Sequence, residues 1–120
     1  MKTFYELEVW QKAHQLTLDV HRATVSFPAE ERFGLVSQLR RSAASVPANI
    51  AEGFGRSTTK DFLRFLDIAG GSLNETRYFL LLSRDLGHLS HEQHKRLNEQ
   101  CDEVGRLLGG LVRSLRKRLP

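Results

Sequence analysis

The sequence predicts an all-α protein, an antiparallel up-down-up-down bundle of four helices, with a kink in the second near Pro47. Apolar residues recur every three or four positions in four successive segments, short polar or glycine-containing stretches separate those segments, and no alternating strand pattern of useful length appears. The helices are read at roughly 5–26, 29–54, 58–86 and 90–118 of a single domain spanning 1–120. Rods of that length are ~30 to 43 Å long at 1.5 Å per residue, and short loops between them favour antiparallel neighbours.

The first helix carries Val9, Ala13, Leu16, Val20, Ala23 and Phe27 along one side. FPAEE then breaks the pattern, with Pro28 suited to a first helical turn and Glu30 and Glu31 to the positive end of a helix. The second stripe is Val36, Leu39, Ala43, Val46 and Ile50. In the third helix, Ser57 or Thr58 serves as cap and Asp61 sits in the first turn, ahead of Phe62, Leu66, Ala69, Leu73, Thr76 and Leu80. Gly87 suits a left-handed closure of that helix. Ser90 and Gln93 form a capping box for the fourth, whose stripe is His94, Leu97, Cys101, Val104, Leu108, Leu111 and Leu115.

The stretch SVPANIAEGFGRS, residues 45–57, interrupts this regularity. It is not a phosphate loop, because no lysine and hydroxyl follow Gly53 and Gly55, and a helix rather than a strand precedes them. Pro47 removes one backbone hydrogen bond, yet the apolar register continues from Val46 to Ile50, so the helix bends rather than ends. Alanines 43, 44, 48 and 51 permit close approach of a neighbour, and Gly53 and Gly55 are expected to terminate the helix. Arg41, Ser45, Asn49 and Glu52 share one helical face. Glu75 is expected to pair with Arg40 or Arg41 in a buried or interfacial network that specifies register.

Helix three holds more apolar surface than one seam uses, through Phe65, Ile68, Phe79, Leu82 and Leu86; helix one adds Trp10, with Phe4 and Tyr5 just before it. Phe4, Tyr5, Trp10, Phe65 and Phe79 are therefore candidates for a self-association interface.

The net charge is +4 with a pI near 9.6, and RSLRKRLP gathers Arg113, Arg116, Lys117 and Arg118 without an acid. Such a balance permits a polyanionic partner and also suits the negative end of a last helix. One cysteine, Cys101, excludes an intramolecular disulfide and a cysteine zinc site, which fits a reducing cytoplasmic setting. MKTFYELEVW lacks the apolar core of a signal peptide, and no stretch approaches the ~20 apolar residues of a membrane span.

Catalytic patterns are missing. No glutamate has a histidine three residues later, as a di-iron bundle needs. His88, His91 and His94 lack a completing ligand and read as a solvated cluster, while His14 and His21 read as polar neighbours of the first seam. Ser42, Ser45 and Ser72 have no base at a defined spacing. No cofactor, metal or catalytic residue is expected.

The run QLRRSAASVPANIAEGFGRST, with VWQKAHQLTLDVHRATVSFPAEERFGL upstream and DFLRFLDIAGGSLNETRYFLLL downstream, resembles the bacterial four helix bundle protein family, also called the 23S rRNA intervening-sequence protein family. The FP-x-x-E-x-x-G-L, Q-L-R-R and P-A-N-I-A-E-G blocks carry the likeness over nearly the whole chain. The resemblance implies a left-handed bundle assembled into a homopentameric ring. It also implies kinship with the accessory variability protein of diversity-generating retroelements, a basic pentamer that engages a reverse transcriptase and nucleic acid. The resulting expectation is a noncatalytic oligomer contacting RNA or DNA backbone through Arg56, Lys60, Arg64, Arg113, Arg116, Lys117 and Arg118. A scaffold for a partner protein such as a nucleic-acid enzyme is the alternative, and a small-molecule enzyme with a deep polar pocket is the third.

Overall fold

The computed structural model describes residues 2–120, and its regular structure is helical throughout. A 3-10 turn at Phe4–Glu6 leads into α1 (Glu8–Thr24), a second at Ala29–Glu31 precedes α2 (Leu35–Phe54), and α3 (Thr59–Asp85) and α4 (His91–Arg116) follow. The second helix therefore begins later than its pattern suggests. Pro28 stands in an extended conformation before a single 3-10 turn carrying Glu30 and Glu31, and Gly34 at φ −106°, ψ −103° redirects the chain before α2 starts. The first helix is likewise shortened at both ends, with Phe4 and Tyr5 in the separate turn.

Contacts join α1 to α2, α2 to α3, α3 to α4 and α4 to α1, with none across either diagonal, so the helices stand in a square. Direction follows from the partners. Thr17 meets Ala43 while Thr24 meets Arg40; Ser42 meets Thr76 while Ser45 meets Ser72; Leu73 meets Gly105 while Arg77 meets Cys101. Lys12 pairs with Glu103 and Asp19 with Gln100 across the closing side. In each pair one number rises as the other falls, so neighbours run antiparallel along a rod 49 Å long and little over 20 Å wide.

The seams supply the core. Leu16, Leu39, Ile50, Leu66 and Leu80 are fully buried, each contributing about 1.5 to 3 kcal/mol relative to exposure, and Cys101 and Val104 fill α4's share. Thr58 accepts from the Asp61 amide at 3.1 Å, and Ser90 and Gln93 exchange bonds of 3.0 and 2.9 Å in a complete capping box. Gly87, at φ +83°, closes α3: its amide reaches the Arg84 carbonyl and the His88 amide reaches that of Ser83, both at 2.9 Å.

Pro47 lies buried inside α2, which continues through it. A proline there deprives the carbonyl four residues back, Ala43, of its helical donor. A donor is offered by the neighbouring helix: the single proton of the Thr17 hydroxyl is shared between the Ala43 oxygen at 3.0 Å and the Ala13 oxygen of its own helix at 2.9 Å. A requirement created by one residue of α2 is thus met by α1.

Gly53 plays a different part from the one expected, while Gly55 ends the helix as expected. Gly53 is buried within α2, where a Cβ would sit 2.8 Å from Phe65 Cβ and 2.9 Å from Phe62 Cδ1. It is a contact glycine, not a terminator. Gly55 does cap the helix, but in right-handed geometry at φ −79°, with its amide turned to the Ala51 and Glu52 carbonyls. The chain can end α2 this way because Thr58 immediately starts the next helix.

Candidate functional site

The antiparallel arrangement brings both cationic segments to one end of the rod. Gly70 packs by Leu108 and Leu73 by Gly105, and this register continued toward the turn sets Lys60 and Arg64 level with the last turn of α4. Arg113 and Arg116 occupy that turn, Lys117 caps it and Arg118 follows. Arg113 folds back along its helix, its Nη1 lying 3.3 Å from where a Gly109 Cβ would be. The carbonyl end of α4 favours these cations, whereas Lys60 in the first turn of α3 stands against the helix dipole and adds to the positive potential.

The seven cations differ in their partners. Arg56 donates to Glu52 at 2.6 Å, and Arg64 lies 3.7 Å from Asp61. Both guanidiniums also sit 4.6 Å from the ring centre of Phe65, which is half-buried between them. Among the described residues, Lys60, Arg113, Arg116, Lys117 and Arg118 have no carboxylate within 4.0 Å. Spacing along the chain separates these two groups: Glu52 and Asp61 stand four and three positions before their arginines, whereas none of the other five cations has an acid three or four positions away.

The polar face of α2 divides as well. Arg41 pairs with Glu75 at the surface of the α2–α3 seam rather than in a buried network. Arg40 turns the other way: its Nε donates to the Thr24 hydroxyl at 2.8 Å and its Nη2 to the His21 carbonyl at 3.2 Å, both on α1. Glu52 is taken by Arg56, and Asn49 donates to the carbonyl and hydroxyl of Ser45. Between the helices Ser45 meets Ser72 at 2.9 Å and Ser42 meets Thr76 at 3.0 Å. The serines singled out as nucleophiles without a base are rungs of this ladder, and Thr76 on the apolar stripe is the signal that could have located it.

Several ties were not legible. Arg77 donates to Asp102 at 2.6 Å and to the Cys101 carbonyl at 3.2 Å, lying over Gly105. His88 is not solvated: its Nε2 lies 2.9 Å from Glu31 and its ring packs 5.4 Å from Phe27, joining the α1–α2 and α3–α4 connections. Cys101 is buried, and desolvation, opposed by Arg77, pushes its thiol up to about 12, far from the thiolate chemistry of a nucleophile. His21 and His94 are shifted down, first by desolvation and next by Arg40 and Arg84 respectively. None of these three groups lines either of two grooves of the surface, one of about 680 Å³ between α1 and α4 and one of about 370 Å³ beside the α1–α2 connection. No cluster of three or more metal-ligating side chains occurs among the described residues.

Of the proposed interface aromatics, Tyr5 is exposed, while Phe4, Trp10 and Phe79 are half-buried against the core. Phe4, Tyr5 and Trp10 form one cluster with centroids 4.4 to 5.3 Å apart, and Trp10 stacks on His14. The outward apolar surface of α3 comes from Ile68, Tyr78 and Leu81. Among the described residues no helix is long and apolar enough to cross a membrane.

The family model described as 23S rRNA-intervening sequence protein matches residues 5–110. Among solved structures, a protein of unknown function from the S23 ribosomal protein family of Bacteroides thetaiotaomicron VPI-5482 superposes with a TM-score of 0.78 at 27% identity, covering 87% of this chain and 97% of its own. No curated protein matches the chain significantly.

Proposed function

The chain belongs to the 23S rRNA-intervening sequence protein family, and from that premise we propose that it is a noncatalytic, self-associating helical bundle whose cationic end holds the phosphate backbone of RNA or DNA. The observation that carries the reading is the gathering at one end of five cations, Lys60, Arg113, Arg116, Lys117 and Arg118, without carboxylate partners. Cations already neutralised within a protein gain little from a phosphate, whereas free ones release counterions from the nucleic acid when they bind. Arg56 and Arg64, held on Phe65 and by acids, shape the edge of this surface.

Self-association rests on the apolar residues α3 turns outward, Ile68, Tyr78 and Leu81, together with Tyr5. A homopentameric ring is the assembly the family resemblance implies. Repeating the cationic end around such a ring converts weak phosphate contacts into avidity. A scaffold for a protein partner is the second reading, favoured by the same outward surface.

Binding of the purified protein to structured RNA and duplex DNA across a salt titration tests the proposal. Affinity that falls steeply with salt supports it; no binding at low ionic strength removes it. Light scattering tests the assembly, and a monomer at micromolar concentration overturns that part alone.

A further inference from the structure

The end of the rod opposite the cationic set carries a different surface. The two most exposed large apolar side chains among the described residues lie in its α1–α2 connection, Phe33 at 89% and Val25 at 77%. Beside them is the groove of about 370 Å³, a size at the lower end of small binding sites. Its floor is apolar and firm, formed by buried Phe27 and Val36 with Pro28, and Val25 stands at its rim.

Two cations line this groove and no acid does. Arg32 lies with its guanidinium 5.7 Å from the Phe33 ring centre. Arg40 is fixed by two of its five donors, to Thr24 and His21, which leaves three N–H groups without a protein partner and the planar head pre-positioned. Glu31 on the same connection is turned to His88.

We propose that this groove binds an acidic, apolar peptide segment of a partner protein, seating one or two leucine, isoleucine or phenylalanine side chains on the Phe27–Val36 floor and a flanking carboxylate on Arg40, with Arg32 at the rim. A peptide fits better than a nucleic acid because the floor presents no donors or acceptors for base edges, and the Thr24 hydroxyl is already engaged by Arg40 and the Val20 carbonyl. The site is separate from the cationic end and stands or falls independently of it.

Fluorescence anisotropy of the full chain tests this with a labelled decapeptide pool carrying leucine or phenylalanine at two positions among aspartate and glutamate. The same pool with asparagine and glutamine, and a labelled single-stranded decanucleotide, serve as comparisons. Arg32→Gln, Phe33→Ser and Val25→Glu alter exposed residues, and their melting curves establish that the fold persists. We expect the acidic pool to bind, Arg32→Gln to weaken it about fivefold, and Val25→Glu and the amide pool to weaken it about tenfold. Lys60→Gln combined with Arg113→Gln leaves peptide affinity unchanged. The proposal is overturned if the acidic pool fails to bind at about 1 mM, if the amide pool binds equally, if Val25→Glu has no effect, or if Val25→Glu abolishes oligonucleotide binding instead.

Discussion

The hydroxyl of Thr17 lies 3.0 Å from the carbonyl oxygen of Ala43, the acceptor that Pro47 leaves without an amide. Thr17→Val keeps the side-chain shape and removes the donor, so it should cost about 1 to 2 kcal/mol, whereas Thr17→Ser should cost less. Pro47→Ala restores the helical amide, and in that background Thr17→Val should cost clearly less. Chemical denaturation of the four proteins completes the cycle; equal costs in both backgrounds would show that the two residues are uncoupled.

Gly53 tests the tightest point between α2 and α3. A methyl there meets the Cβ of Phe65, Cδ1 of the Phe62 ring and, at 3.3 Å, the Phe62 carbonyl oxygen; the Cβ and the carbonyl cannot swing aside without moving α3, so Gly53→Ala should destabilise by about 1 to 3 kcal/mol despite alanine's better helix propensity. Gly71 in α3 has nothing within 4 Å of its Cβ position. Gly71→Ala should accordingly stabilise by about 0.5 to 1 kcal/mol. Opposite shifts in melting temperature are the expected result.

Ala43 and Ala51 separate for a similar reason. Ala43 is fully buried between α1 and α2, while Ala51 is half-buried. Ala43→Leu should lose about 1 to 3 kcal/mol through overpacking, and Ala51→Leu distinctly less, because a longer side chain there can extend into solvent. Equal losses at both sites would contradict this difference in packing.

The contrast marks what sequence pattern conveys. A three-four repeat puts Leu16, Leu39, Leu66 and Leu108 on one side of their helices whichever neighbours they meet, so the core was readable. Arg40 and Arg41 lie about 100° apart on the helix, and which of them reaches α1 and which α3 depends on how the four rods are ordered in space. Gly53 as a contact and Gly53 as a terminator look identical in a sequence, since both require the missing Cβ. His88 joins a glutamate 57 positions away because Gly87 turns the chain toward it, and no local spacing records that encounter. At the cationic end the charges were legible, and so were the pairs of Arg56 with Glu52 and Arg64 with Asp61 at helical spacing, but not that both guanidiniums share the Phe65 ring across the turn.

The pH dependence of stability should show Cys101 on the alkaline side. In the unfolded chain the thiol ionises near its ordinary 9.0, while in the fold it holds its proton to about 12. Between those values the unfolded state binds fewer protons, so this contribution is complete below pH 9 and is lost as pH rises. Cys101→Ala should flatten the decline above pH 9, and in the native protein thiol reagents should react only as fast as the chain opens. On the acid side the depressed His21 and His94 act in the opposite sense: their contribution is present above 6.5 and lost as pH falls. His21→Gln should reduce the acid-side loss in a thermal series from pH 7 to 5.

The partner state of each cation makes the nucleic-acid reading quantitative. Every free cation that neutralises a phosphate adds about 0.9 to the slope of log affinity against log salt for duplex DNA. Replacing Lys60, Arg113 and Lys117 by glutamine should therefore flatten that slope by about 2 to 3 and weaken binding to all sequences alike. Arg56→Gln with Arg64→Gln removes cations already satisfied by Glu52, Asp61 and Phe65, so the slope should change by less than about 1. If the arginines on Phe65 alter the slope as much as the three free cations do, the phosphate-contacting surface lies over the start of α3, and the end of α4 serves only to stabilise its helix.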